Sequence, residues 1–248
     1  KPSLILSTAV FPISEHERIQ KIQQHWELWA QRGDVDVIVT MSYAMDTNRL
    51  QRLVMPWLDH ADALGPVLVL PSIRLHNLPN ANAFQQIQAI RDMPSGGYSL
   101  FAVADLNDTL QVMFSRTQGV HPTTRPDPIP YRQPFHTALA RYESLQREWS
   151  VMLANGELRV WNSQQTIWNT QTAALDQALR ALASNPSEQR LNTAKHLLYD
   201  FRTQLDDWVS LQSNNDDYRL RTWNNRLEAM DTLLNYGNHF ILQRQARR

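Results

Sequence analysis

The chain repeats one unit four times within residues 1–116: an apolar run, a polar cluster directly after it, and a run with helical periodicity. Such alternation predicts an α/β fold in which the strands lie parallel in one sheet and the helices connect them. The apolar runs are Leu4–Val10, Val35–Met41, Val67–Ile73 and Tyr98–Val103. Because chemistry in parallel α/β folds collects where the strands end, we expect a functional site among the polar clusters.

Helical runs follow the first three strands, with apolar side chains at three- to four-residue spacing. The predicted helices are Glu15–Arg32, Thr47–Leu64 and Ala81–Arg91. Ser14 and Glu17 resemble a capping box at the start of the first helix. Trp26 and Trp29 lie on the apolar face of that helix, so we predict that they pack against the sheet rather than form a platform for a sugar.

A proline-rich segment, residues 121–134, separates two parts of the chain with different patterns. Its five prolines exclude a regular helix or a central strand, so we predict a connector between a domain at 1–120 and a domain at 135–248. Four amphipathic stripes in the second domain predict an all-α helical bundle. They run over Phe135–Met152, Trp168–Leu182, Leu191–Trp208 and Leu220–Leu234, and Glu157–Trp161 is the strand-like run of this half.

The sequence carries 24 acidic and 24 basic residues, so its formal net charge is zero. This balance gives no support to binding of nucleic acid or of an anionic membrane surface, because both need a positive field. The absence of cysteine excludes disulfides and thiolate metal sites. No apolar run approaches the roughly 18 residues of a membrane span, so we expect no membrane span.

The sequence contains no phosphate loop, dinucleotide fingerprint or nucleophile elbow, and we therefore expect no cofactor. His16 and His76, the histidines nearest the strand ends, lack the spacing of a metal site, so we expect no metal. The chain begins at Lys1 rather than Met, from which we expect that an upstream segment has been removed or lies outside this sequence.

Four units in about 116 residues correspond to half of an eight-unit barrel, which takes about 250 residues; an open sheet is the alternative. Several stretches resemble the glycosyl-hydrolase-like family-10 group of bacterial and cyanobacterial barrel proteins. They are Gln24–Trp29, Asp36–Tyr43, Leu70–Leu75 and Gly97–Ala102. The resemblance implies that residues 1–116 are the C-terminal half of a (β/α)8 barrel, that the substrate is a polysaccharide or cell-wall glycan, and that the protein is periplasmic or extracellular. The helical half resembles C-terminal extensions of the cyanobacterial members.

Asp46 and Asp105 are the candidate catalytic carboxylates, because glycoside hydrolysis uses two carboxyl groups. Asp46 follows the second strand and Asp105 ends the fourth. The alternative for Asp46 is an N-cap, since it directly precedes a helix, and for Asp105 it is a turn or cap. The resemblance also implies that the acid–base carboxylate follows the fourth barrel strand, which this chain would lack.

The candidate substrate-binding residues are Tyr43, Arg74, His76 and Asn77. A tyrosine at a strand end can stack on a sugar ring, and an arginine there can clamp a carboxylate or a hydroxyl. The alternatives are a packed rim aromatic for Tyr43, a structural ion pair for Arg74, and a solvated loop for His76 and Asn77.

Two hypotheses follow: a glycoside hydrolase whose barrel is incomplete, or a non-catalytic glycan-binding or assembly module. The expected partners are carbohydrate and, at the open sheet edges, an upstream half-barrel or a second chain. The amphipathic helices suit docking to another protein. We also expect the inner face of the sheet to expose apolar residues, namely Leu4, Leu6, Val37, Val39, Val67, Val69 and Phe101 or their neighbours.

Overall fold

The structure is a computed structural model that describes residues 4–117, 130–211 and 216–243. The chain divides into two compact units, Lys1–Arg132 and Gln133–Arg248. Most of the predicted proline-rich connector, residues 121–134, lies outside the described residues.

The first unit contains a four-stranded parallel sheet in the order β1-β2-β3-β4, which confirms the alternation of strands and helices. The strands are β1 (Ser7–Val10), β2 (Val37–Thr40), β3 (Leu68–Arg74) and β4 (Ser99–Phe101). In the register, Ser7 lies opposite Val37, Val37 opposite Leu68, and Arg74 opposite Phe101. Spatial neighbours are therefore neighbours along the chain, and all four strands end at one edge.

The helices of this unit are α1 (Glu15–Ile22), α2 (Trp26–Gln31), α3 (Thr47–Leu58), α4 (Asn80–Arg91) and α5 (Asp108–Thr117). The predicted cap is confirmed, since Ser14 Oγ accepts a hydrogen bond from the Glu17 amide (3.4 Å). The single helix predicted over residues 15–32 is wrong, because Gln23 adopts a left-handed backbone (φ 52°) and ends α1. Outside the helix, the Gln24 side chain accepts a hydrogen bond from the Phe11 amide (3.1 Å).

Alternate residues of the strands pack against the helices. Val10, Ile38 and Val69 share one core with Trp26 and Ala30. Trp29 packs against this core, so both tryptophans of α2 serve packing, as predicted. A second core joins β3 to α3, α4 and α5 through Ile73, Leu75, Leu50, Val54, Ile87 and Leu110.

The expectation of an exposed apolar inner face is only partly met. Leu4, Leu6 and Phe101 are exposed. Val37, Val67 and Val69 are buried, so the expectation is wrong for them, and Val67 and Val69 face the helices. On the other face of β3, the backbone before β4 covers Leu68, since a Cβ on Gly96 would lie 3.1 Å from the Leu68 side chain.

The second unit contains the four predicted helices: α6 (Pro134–Ala154), α7 (Gln165–Ser184), α8 (Glu188–Trp208) and α9 (Asp216–Gly237), followed by a π-helical turn over Asn238–Gln243. Their apolar stripes meet at Trp149, whose ring contacts those of Tyr142, Trp168, Phe201 and Trp223. None of the helices in the described part of the chain has the length and apolar character that crossing a membrane requires.

The second unit also contains a small antiparallel ribbon, which pairs the segment after α6 with the segment after α8. Its first strand, β5 (Leu158–Val160), lies inside the predicted strand-like run. Its partner, β6 (Val209–Leu211), was not predicted, because it follows α8 directly and spans three residues.

Candidate functional site

Five side chains of the first unit form one group where the parallel strands end, which we call the strand-end cluster: Tyr43, Arg74, His76, Phe101 and Asp105. Arg74 and Phe101 are the last residues of β3 and β4 and lie opposite each other in the register. Parallel neighbours at the same register point to the same face. The sheet thus presents a cation beside an aromatic ring, with Tyr43 contributed by the segment after β2.

An aromatic pair lies at the centre of the strand-end cluster. The rings of Tyr43 and Phe101 stack with centroids 5.8 Å apart and planes 19° apart. Tyr43 is half-buried, whereas Phe101 is 53% exposed. Burial raises the pKa of the Tyr43 hydroxyl, against the opposing effects of a hydrogen bond with Ser72 and the charge of Arg74. Tyr43 therefore stays neutral, and an apolar ring faces solvent beside it.

Arg74 lies next to this pair. Its Cζ is 6.0 Å from the centroid of the Tyr43 ring, at the outer limit of a cation–π contact. Within the described residues the structure gives Arg74 no ion pair with a carboxylate. The alternative interpretation of Arg74, a structural ion pair, therefore finds no support among the described residues.

His76 and Asp105 pair with each other across the strand ends. The distance from His76 Nδ1 to Asp105 Oδ1 is 3.2 Å, and the two side chains are 60% and 29% exposed. Asn77 is explained by its backbone: it has a left-handed φ of 58° in a turn that is closed by the Leu78 amide on the Leu75 carbonyl (3.0 Å). Asparagine tolerates this conformation better than most residues.

Asp46 forms the N-cap of α3, as its alternative interpretation predicted. Its Oδ1 accepts a hydrogen bond from the Arg49 amide (2.8 Å), and its backbone is extended. The carboxylate is therefore occupied by a helix N-terminus, where it compensates one of the unpaired amides. Among the described residues, no ion pair or side-chain hydrogen bond joins Asp46 to the strand-end cluster.

Side chains of α4 hold the segment that carries Tyr43. The fully buried Gln86 donates from Nε2 to the Ala44 carbonyl (2.9 Å), and Asn82 donates to the Met45 carbonyl (3.1 Å). On the other side, the amides of Asn80 and Asn107 exchange hydrogen bonds, with Asn107 also accepting from the Leu110 amide at the start of α5 (3.0 Å). These bonds fix the loops on both sides of the cluster.

The sequence did not identify Phe101 or Gln86 as parts of the site. Phe101 was counted only as an inner-face residue, although an aromatic at the end of a strand was the available signal. Gln86 shares the buried face of α4 with Ala83, Ile87 and Ile90, and a polar residue on such a face suggests a buried hydrogen bond to a neighbouring loop.

Comparisons with protein-family models, with curated proteins and with solved structures found no match. Among the described residues, no group of three or more histidine, aspartate or glutamate side chains could hold a metal ion. The strand-end cluster is therefore interpreted from its own geometry.

Proposed function

We propose that the strand-end cluster binds carbohydrate. The observation that carries this proposal is the stacked pair of Tyr43 and Phe101, with Phe101 half exposed and Arg74 and His76 beside it. One face of a pyranose ring presents C–H groups, which are attracted to the negative face of an aromatic ring. The hydroxyl groups around that face need donors and acceptors, which Arg74, His76 and Asp105 supply.

Calorimetry that measures the binding of soluble oligosaccharides to the protein tests this proposal. Phe101→Ala is expected to weaken binding about fivefold, because stacking on an exposed aromatic ring contributes on the order of 1 kcal/mol. Tyr199→Ala is the matched control, since Tyr199 is an exposed aromatic of the other unit, 65% exposed. Equal binding by both variants, or no binding of any oligosaccharide by the native protein, contradicts the proposal.

Glycoside hydrolysis is the second candidate, favoured by the contact between Asp105 and His76. Hydrolysis normally requires two carboxyl groups. Asp105 supplies one at the cluster, whereas Asp46 caps a helix, so binding is the better-supported function. Release of reducing ends should fall by orders of magnitude in Asp105→Asn if the chain is catalytic. Activity that persists when Asp105 and Asp46 are both replaced by asparagine rules out both as catalytic residues.

We further propose that the first unit is half of a (β/α)8-type barrel. The support is a sheet whose four parallel strands follow chain order, because consecutive barrel strands are neighbours. Within the described sheet, β1 and β4 are edge strands. Edge strands present unpaired backbone groups, so the partner is a further set of strands, from an upstream half-barrel or a second chain. We also propose that another protein docks on the second unit, and the amphipathic pattern of its helices is the sole support for this proposal.

A further inference from the structure

Arg74 has a distinctive environment for an arginine at the end of a central strand. Its side chain lies beside a neutral tyrosine, and no described carboxylate pairs with it. The carboxylate that the strand-end cluster does contain, that of Asp105, contacts His76 instead. Arg74 is exposed, and no ion pair within the described residues engages its guanidinium, which carries five N–H donors.

We infer that the ligand of the strand-end cluster is an acidic glycan, whose sugar ring stacks on Phe101 while its carboxylate accepts hydrogen bonds from Arg74. This inference rests on the proposed carbohydrate binding and adds the charge of the ligand. A guanidinium is planar and offers two parallel donors, which match the two oxygens of a carboxylate. A neutral sugar hydroxyl would use only one of these donors.

The sheet register places Arg74 beside Phe101. Arg74 and Phe101 occupy the same register position on neighbouring strands, and adjacent strands lie about 4.8 Å apart. The two side chains therefore begin side by side on one face of the sheet, so that one compact ligand can contact both. A carboxyl group attached directly to a pyranose ring joins charge and ring in one such compact unit, and hexuronate residues are therefore the glycans that we expect.

Calorimetry with an oligogalacturonate and its fully methyl-esterified form tests the inference, because esterification removes the negative charge of each carboxyl group and adds only a methyl group. We expect the acid to bind about ten- to a hundredfold more tightly than the ester, as for a charge-assisted hydrogen bond. Arg74→Gln should abolish this preference by weakening binding of the acid far more than binding of the ester, while Arg74→Lys should retain part of the preference. Arg52→Gln, which removes the charge of an exposed arginine on α3, should retain all of it.

The possible results distinguish the inferred acidic ligand from the proposed carbohydrate binding on which it rests. Equal binding of acid and ester overturns the acidic ligand and leaves carbohydrate binding intact. A preference for the acid that survives in Arg74→Gln also overturns the inference, because another group then recognises the charge. If neither probe binds and neutral oligosaccharides also fail, the proposed carbohydrate binding itself is wrong. Circular dichroism of the variants establishes that the exposed position 74 tolerates the substitutions.

Discussion

Glu148 connects two buried helices of the second unit through its carboxylate. Its Oε1 accepts a hydrogen bond from the indole N–H of the fully buried Trp223 (2.9 Å), and its other oxygen pairs with Arg226. Burial by itself raises the pKa of Glu148, but the charge and hydrogen bond of Arg226, with the Trp223 bond and the charge of Arg219, outweigh it. The pKa in the folded protein is therefore lowered.

We predict that Glu148 makes the second unit sensitive to acid. A carboxyl group with a lowered folded-state pKa contributes its full stability above its unfolded pKa of about 4.3, and loses it as the pH falls toward the folded value. Glu148→Gln should therefore lose less stability than the native chain between about pH 5 and pH 3. Glu148→Ala should cost about 1–3 kcal/mol at pH 7, because Trp223 is left without its acceptor.

Urea unfolding followed by circular dichroism at several pH values measures both effects. Glu157→Gln is the control, since Glu157 is 53% exposed and lies 3.9 Å from Arg219. Parallel pH profiles for the native chain and Glu148→Gln would show that the network carries no acid sensitivity.

Arg18 illustrates what a sequence pattern cannot predict about a single residue. It is fully buried, with its guanidinium 4.6 Å from the Trp26 ring and 5.0 Å from the Trp57 ring, and it pairs with Glu27. Burial lowers its pKa, against the charge of Glu27. Helical periodicity assigns a cation to the solvated face, and only the tertiary packing of α2 and α3 against α1 turns this position inward.

At the scale of elements, the sequence predicted the strands and most helices because their apolar periods are long and consistent. It missed the break at Gln23, where neither glycine nor proline marks the left-handed residue. It also extended the second helix to Leu64, whereas α3 ends at Leu58 and a 3-10 helix covers Ala61–Leu64. The sequence could predict that the polar strand ends form a site. It could not predict that the rings of Tyr43 and Phe101 stack, because that contact depends on how the strands align in the sheet.

Asp46 stabilises a whole element, because its side chain caps the N-terminus of α3. Asp46→Ala should destabilise the first unit by about 1 kcal/mol through loss of the α3 cap, whereas Asp46→Asn, which keeps a capping oxygen, should change stability little. Urea unfolding of both variants measures this difference, and oligosaccharide binding should be the same in both. An asparagine variant that is as unstable as the alanine variant would show that the charge, rather than the cap, is what matters.

At the scale of the whole molecule, the proposed half-barrel leaves one edge of the described sheet open at β1. Leu6 accepts hydrogen bonds from the amides of Asp36 and Val37 and donates its own amide to the Asp36 carboxylate (2.8 Å), so its backbone faces β2. Backbone groups of alternate residues in an edge strand point away from the sheet, and Ser7 and Ala9 occupy those positions. Close to them, the side chain of Leu6 is 58% exposed.

We predict that the 248-residue chain self-associates through this edge when no other strands cover it. An edge strand with exposed apolar side chains favours pairing with another chain, and a lysine there opposes it by placing a charge in the contact. Sedimentation velocity over a range of concentrations should show association of the native chain and a monomer for Leu6→Lys. Val151→Lys should associate like the native chain, because Val151 is similarly exposed (60%) but lies on α6 of the second unit. A native chain that is monomeric at every concentration and melts cooperatively would show that the edge needs no partner, which would contradict the proposed half-barrel.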